Sequence, residues 1–377
     1  MSYSVYQQLS YSKDHTYKLL QLPAELFSYI KDQENGELVI KSTPPDTDKN
    51  EKSLVLCTEN KTWRLRQMNH SNTVLLLDNM NVNKLGKSVL SVIPTYEVSP
   101  HNNLVGFAKC SYEYELNATD GFIDVSRLPV YSGDSISDDT LNQNSTLTTL
   151  DQLLQDSPLS NQQFYRNWYE LAGCEINGFV HILSQNFITQ TLYTLITILI
   201  SNEFNYKDDH GQIDDVCKMA RQQDPKLNSS IVSTILHKFS DVNENSFKLD
   251  NSKIAKWFGT QELANTNRTL VSSKDFLLNW KACLPDFYNV SLDLHDLRGT
   301  YCSPMEGKIQ YINKSDLSQN LSMRFAQLFL LDKLWVLEDF VPFISEFVPP
   351  GKKVDSIILK HGKKKAQGKG KYVVCPR

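Results

Sequence analysis

The sequence predicts an α+β protein: an all-β first third followed by a tandem array of small helical modules. Three observations predict it. Apolar residues recur at period 2 before residue 130 and at period 3.6 beyond residue 146. Leu128 to Tyr165 holds no Lys or Arg and separates the two patterns. In the second part a short apolar strand recurs, starting at Phe179, Phe247, Ile309 and Tyr372.

The first elements are strands. Ser53-Leu-Val-Leu-Cys57 is an apolar run, and Thr58 to Lys61 is a turn. In Thr62 to Arg66, Trp63 and Leu65 face one way while Arg64 and Arg66 face the other. A second turn at Asn69 to Asn72 leads into Thr73-Val-Leu-Leu-Leu77, completing a meander. Tyr112, Tyr114 and Leu116 alternate with Glu113 and Glu115, which reads as a half-buried strand. Pro44-Pro45 with Asp46 and Asp48 marks a long exposed loop. Residues 1–130 therefore form a sandwich or barrel. With few strands for its length, the sheet is either a self-contained barrel or one closed by strands from another chain. Residues 131–146, polar and acidic, form the linker.

Helices come next. Leu147, Leu150, Leu153 and Leu154 share one helical face, as do Ile188, Leu192, Leu195 and Leu199. Ser273 is placed to cap a helix carrying Phe276, Leu277, Trp280 and Leu284. Three helical segments fit between one recurring strand and the next, after an incomplete first copy (147–184). The expected modules are 147–250 with its extra half-unit, 251–312, and 313–377. Helix–helix–helix–hairpin is the layout of a winged helix.

Charge singles out the last module. From Lys352 to Arg377 nine Lys or Arg stand against one acid, Asp355, a net +8 that leaves −12 on the other residues. In its third helix Val354, Ile357, Ile358 and His361 make the apolar face, with Lys353, Ser356, Lys360 and Lys364 toward the other. Lys363 to Gln367, a turn at Gly368-Lys-Gly370, and Lys371 to Cys375 make the wing. Lys352, Lys353, Lys360, Lys363, Lys364, Lys365, Lys369, Lys371 and Arg377 are thus the candidate nucleic-acid contacts. A nuclear-import signal and a solvated tail are the competing readings of such a block.

The chemistry of enzymes is missing. The sequence has no phosphate-binding Gly-Lys loop, no Gly-x-Gly-x-x-Gly and no Gly-x-Ser-x-Gly elbow. Seven scattered cysteines without a Cys-x-x-Cys pair argue for reduced thiols and against structural zinc. Asp138-Asp139, Asp208-Asp209, Asp214-Asp215 and Glu338-Asp339 read as linker or first-turn acids rather than metal ligands. Asp293, His295, Asp296 and Cys302 do not assemble a nucleophile site. The expectation is a soluble, intracellular non-enzyme with no cofactor, no metal and no membrane span; Phe187 to Ile200 is too short and too rich in Thr to cross one.

Several segments resemble the N-terminal signature of the Dcc family of sister-chromatid-cohesion proteins, of the budding-yeast type. They are Lys18-Leu-Leu-Gln-Leu22, Lys61-Thr-Trp-Arg-Leu65 and His70-Ser-Asn-Thr-Val-Leu-Leu76. The likeness continues through Val105 to Lys109, Thr149 to Leu154, Phe276 to Lys281, Asp296-Leu-Arg-Gly299, Leu337-Glu-Asp-Phe340 and Lys353 to Lys360. Each motif is short, but together they span nearly the whole chain in order. The resemblance implies a non-catalytic adaptor of the alternative, cohesion-linked RFC-like clamp loader, which acts on PCNA in DNA replication. It implies that the β unit, through Trp63, Leu65, Val74 and Leu76, shares a composite barrel with a large and a small partner subunit. It further implies that tandem winged helices bind DNA, single- or double-stranded, and contact the catalytic subunit of DNA polymerase epsilon, in the nucleus. The alternative is a free-standing winged-helix DNA-binding regulator, which would purify without partners.

Overall fold

The computed structural model describes residues 4–7, 16–32, 37–43, 54–79, 103–133, 147–348, 352–368 and 370–377. Most of the acidic linker, with Asp138-Asp139, the Pro44-Pro45 loop and Lys369 lie outside the described residues. Two compact units divide the chain. One takes Met1–Leu128, Asn144–Leu171 and Gly178–Val180, the other Pro129–Gln143, Ala172–Asn177 and His181–Arg377.

The first unit is built on a six-stranded sheet. Its strands are β1 (Ser4–Gln7), β2 (Leu19–Gln21), β3 (Val39–Ser42), β4 (Leu54–Cys57), β5 (Thr62–Asn79) and β6 (Asn103–Thr119). The order is β1-β6-β5-β4-β3, with β2 also on β6. β1 and β2 run parallel to β6 along different stretches of the same edge, and the other pairs are antiparallel.

Two sequence expectations need correction. Asn69 to Asn72 is not a turn: β5 runs on through it, and both halves pair with β6. From Asn69 to Val74 the chain advances five residues while β6 advances two, Tyr112 to Cys110. The extra residues make a bulge that keeps the register of faces. Nor does the sheet close into a barrel among the described residues. A helix, α1 (Ala24–Asp32), covers the face that a barrel would turn inward. Leu26 is fully buried there with Leu56, Trp63 and Leu116, so the helix covers the Trp63 end of that face.

Two more helices belong to this unit, α2 (Leu150–Asp156) and α3 (Asn161–Glu170). Thr149 caps α2 with a full capping box to Gln152. Thr62 ties α3 to the sheet: its hydroxyl donates to Gln163 Oε1 (2.6 Å) and accepts from the Ser160 amide (2.8 Å). Lys41 Nζ donates to the Leu154 and Leu159 carbonyls at 2.8 and 2.9 Å.

The second unit repeats one plan three times. The first copy is α4 (Gln185–Ser201), β10 (Gly211–Gln212), α5 (Ile213–Gln223), α6 (Ser229–Phe239), β11 (Ser240–Asn243) and β12 (Ser246–Leu249). The second is α7 (Asn251–Asn265), β13 (Val271–Ser272), α8 (Ser273–Cys283), a 3-10 turn at Leu294–Leu297, β14 (Tyr301–Met305) and β15 (Lys308–Tyr311). The third is α9 (Leu321–Leu331), β16 (Trp335–Val336), α10 (Leu337–Phe340), α11 (Val354–His361), β17 (Lys363–Ala366) and β18 (Tyr372–Cys375). In each, a two-residue strand ahead of the second helix pairs with the last strand of the hairpin, giving sheets β10-β12-β11, β13-β15-β14 and β16-β18-β17. An incomplete copy precedes them, in which β7 (Val130–Tyr131), β9 (Phe179–Leu183) and β8 (Gly173–Ile176) form a sheet in that order.

The recurring apolar strand read from the sequence is therefore β9, β12, β15 and β18, the central strand of each small sheet. A central strand is paired on both edges and buries its inward residues, such as Val180, Phe247, Ile309 and Val374, which is why it recurs as an apolar signal. Ile188, Leu192, Leu195 and Leu199 are all buried, as their spacing predicted. Ser273 opens α8 rather than capping it, and its amide and hydroxyl both donate to the Gly307 carbonyl.

Candidate nucleic-acid and partner surfaces

The basic block folds onto α11 and the β17–β18 hairpin. Ile357, Ile358, Val373, Val374 and Cys375 point inward and fix both elements on the core. Lys352, Lys353, Lys360, Lys363, Lys365, Lys371 and Arg377 are left exposed. Lys364 is committed elsewhere. Its ammonium donates to both Asp355 carboxylate oxygens (2.9 and 2.8 Å) and lies 4.4 Å from the centre of the Tyr372 ring. It ties the hairpin to the helix instead of facing solvent. Arg377 also donates to the Leu359 carbonyl (2.5 Å), closing the C-terminus onto α11.

The equivalent positions of the other two copies differ. In the first, α6 is packed over by β8: Thr234 donates to the Gly173 carbonyl (2.7 Å), and the Glu175 amide donates to Ser230 Oγ (2.8 Å). In the second no third α-helix forms, and residues 285–293 are a loop before the 3-10 turn. The hairpin tips are Glu244-Asn245 and Glu306-Gly307, neither of them basic.

On the first unit, the β5–β6 register puts Trp63, Leu65, Val74 and Leu76 on one face, opposite Ala118, Leu116, Cys110 and Ala108. The bulge is what brings the four onto one face. Their availability differs. Trp63 is buried under α1, Leu65 and Leu76 are half-buried, and Val74 is exposed. Missed in the sequence was β3. Val39 and Ile40 are exposed, Ile40 by 65%, on a strand that pairs with β4 alone among the described residues. The signal was the run Leu38-Val39-Ile40, three apolar residues in a row with two of them β-branched.

Two motifs far apart in sequence meet in the second unit. Arg298 of Asp296-Leu-Arg-Gly299 pairs with Asp339 (2.9 Å) and Glu338 (2.6 Å) of Leu337-Glu-Asp-Phe340. These acids clasp the second copy to the third. Among the described residues no group of three or more His, Cys, Asp or Glu could hold a metal ion. Asp293 accepts from the His295 amide (2.9 Å) within its own turn. Burial pushes the Cys174 and Cys302 thiols up to about 12, and burial together with Glu262 raises Cys283 to about 11. Such thiols are protonated and poor nucleophiles at neutral pH. Among the described residues no helix is long and apolar enough to cross a membrane.

The sequence profile described as "Sister chromatid cohesion protein Dcc1" matches residues 17–344. The chain is 33% identical to the sister chromatid cohesion protein DCC1 of Saccharomyces cerevisiae, with 97% of each chain covered. It is 25% identical to a probable protein of that name from Dictyostelium discoideum (97% of this chain, 95% of the other). With the human protein identity is 22%, over 91% and 84% of the two chains. None of these names denotes an enzyme. With both clasp motifs and most of each unit inside the matched span, the chain belongs to the sister chromatid cohesion protein Dcc1 family.

Proposed function

We propose that this protein is a non-catalytic adaptor subunit of the alternative RFC-like clamp loader, which acts on PCNA in DNA replication and sister chromatid cohesion in the nucleus. The six-stranded sheet joins a large and a small partner subunit in a composite barrel. The three repeated modules are winged helices, and they link the loader to DNA and to the catalytic subunit of DNA polymerase epsilon. DNA meets the last module, through Lys352, Lys353, Lys360, Lys363, Lys365, Lys369, Lys371 and Arg377.

The observation that carries this reading is the edge of the sheet. Among the described residues β3 is an edge strand of the sheet, beside exposed Val39 and Ile40, and such an edge is one that natural proteins normally blunt or cover. A partner strand added there satisfies the backbone and buries the apolar residues. The module order, short strand then helices then hairpin, supports the winged-helix assignment.

The test is co-purification of the Ile40→Lys, Val74→Asp double variant with the large and small partner subunits. Both residues are exposed, so the isolated chain keeps its fold by circular dichroism while assembly is lost. Normal assembly of the double variant would refute the shared barrel.

A further inference from the structure

We propose that Phe287 is the anchor of a protein-docking surface on the second module, one that takes an apolar socket rimmed by Lys or Arg. Phe287 is 81% exposed, an unusual place for a large aromatic ring. Its backbone is also left-handed, φ +66°. Among the described residues the other non-glycine positions with positive φ are Ala172, Asn177, Glu203, Glu244, Asn267 and Arg268, none aromatic. A bulky side chain in that region is strained, and nothing buried repays the strain here.

The loop is nonetheless held in place from several sides. The Tyr206 hydroxyl accepts from the Asn289 amide (2.9 Å) and lies within donating distance of the Asn289 and Phe287 carbonyls (3.2 and 3.5 Å). The Tyr206 ring packs on Tyr288, centroids 4.7 Å apart. Tyr288 donates to Asn251 Oδ1 (2.5 Å), and Asn251 Nδ2 donates back to the Tyr206 carbonyl (3.0 Å). Two buried or half-buried tyrosines and the start of α7 thus hold a strained loop that presents a phenylalanine ring outward.

This loop stands where the third module has α11, with its exposed lysines. Its charge has the opposite sign: Asp286 precedes Phe287, and Asp208 and Asp209 follow Tyr206, all three exposed. The cation in the same stretch, Lys207, lies over the Tyr206 ring at 5.9 Å. Phosphates are repelled from such a surface, so the partner is a protein. An aromatic anchor in a desolvated pocket, ringed by complementary charge, is the usual form of an interface hot spot. The assignment is independent of the nucleic-acid reading of the third module and of the shared barrel.

The test places photoreactive benzoylphenylalanine at position 287 of the full-length chain in the cells that make it, followed by mapping of the crosslinked peptide. A protein peptide with apolar residues beside Lys or Arg is expected. The protein so identified is then purified and its affinity for the full-length chain measured. Phe287→Gly, which suits the left-handed backbone, should lower that affinity at least tenfold while leaving the melting temperature of the free chain unchanged or higher. Changing Asp208, Asp209 and Asp286 to Asn should weaken binding and remove most of its salt dependence. Crosslinks confined to the chain itself or to nucleic acid, no crosslink, or an affinity within twofold for Phe287→Gly would overturn the assignment.

Discussion

Arg324 is the clearest case of one side chain organising its surroundings. Its guanidinium is fully buried, donates to the carbonyls of Ser318 (2.8 Å), Phe343 (3.0 Å) and Leu317 (3.4 Å), pairs with Glu346, and stacks on Phe347. A planar fork spreads five donors over acceptors set apart from one another, whereas an ammonium has three donors on one compact centre and does not span the same set. Arg324→Lys should therefore cost about 3 kcal/mol in urea denaturation, by leaving buried carbonyls unpaired. Glu346 adds a pH dependence. Burial alone would raise its carboxyl, but hydrogen bonds and charge from Lys314 and Arg324 hold it below its ordinary 4.5. A lowered folded value means the pairing stabilises the protein above that pH, and the gain is lost as pH falls through the lowered value. Glu346 is partly exposed, so the effect is modest. Glu346→Gln should flatten the acid limb of the stability curve below about pH 4.5.

Between elements, close approach outweighs propensity. A Cβ on Gly259 of α7 would lie 2.5 Å from the Trp280 ring of α8. Trp280 is fully buried and its Nε1 donates to the Ala255 carbonyl (2.9 Å), so it has nowhere to go. Gly259→Ala gains about 1 kcal/mol of helix propensity and loses about 1–3 kcal/mol to overpacking; a lower melting temperature is expected. At the basic hairpin, DNA affinity should fall with log salt at a slope of roughly −3 to −5 for about three to five phosphate contacts. Charge reversal at Lys353, Lys360, Lys363, Lys365 and Lys371 should abolish binding in a filter or anisotropy assay, with Lys364 left in place to keep the hairpin docked. These elements show what was legible in the sequence. Central strands and helices with a strong period, such as β18, α4 and α11, could be read because burial dictates their pattern. The bulge in β5, the two-residue strands and the missing third helix of the second module could not. Their conformation is set by partners distant in sequence: β6 for the bulge, β12, β15 and β18 for the short strands, Tyr206 for the loop.

For the molecule as a whole, the sheet's dependence on helices beyond the linker decides where the chain can be cut. Lys41 and Thr62 bond to residues 154–163, so a fragment of residues 1–130 leaves those groups and the face carrying Val55 and Cys57 exposed. It should aggregate, whereas residues 1–180 should be soluble and give a cooperative melt; equal behaviour of the two in light scattering would contradict this dependence. The same threading sets a clock on biosynthesis. When Thr119 at the end of β6 leaves the ribosome, Gln163 is still to be translated, and at about 5–20 residues per second the wait lasts roughly 2–9 seconds. During it a nascent sheet with a bare apolar face and an open edge is presented to the cytosol, which makes this stretch of synthesis the moment when a chaperone matters most for the chain.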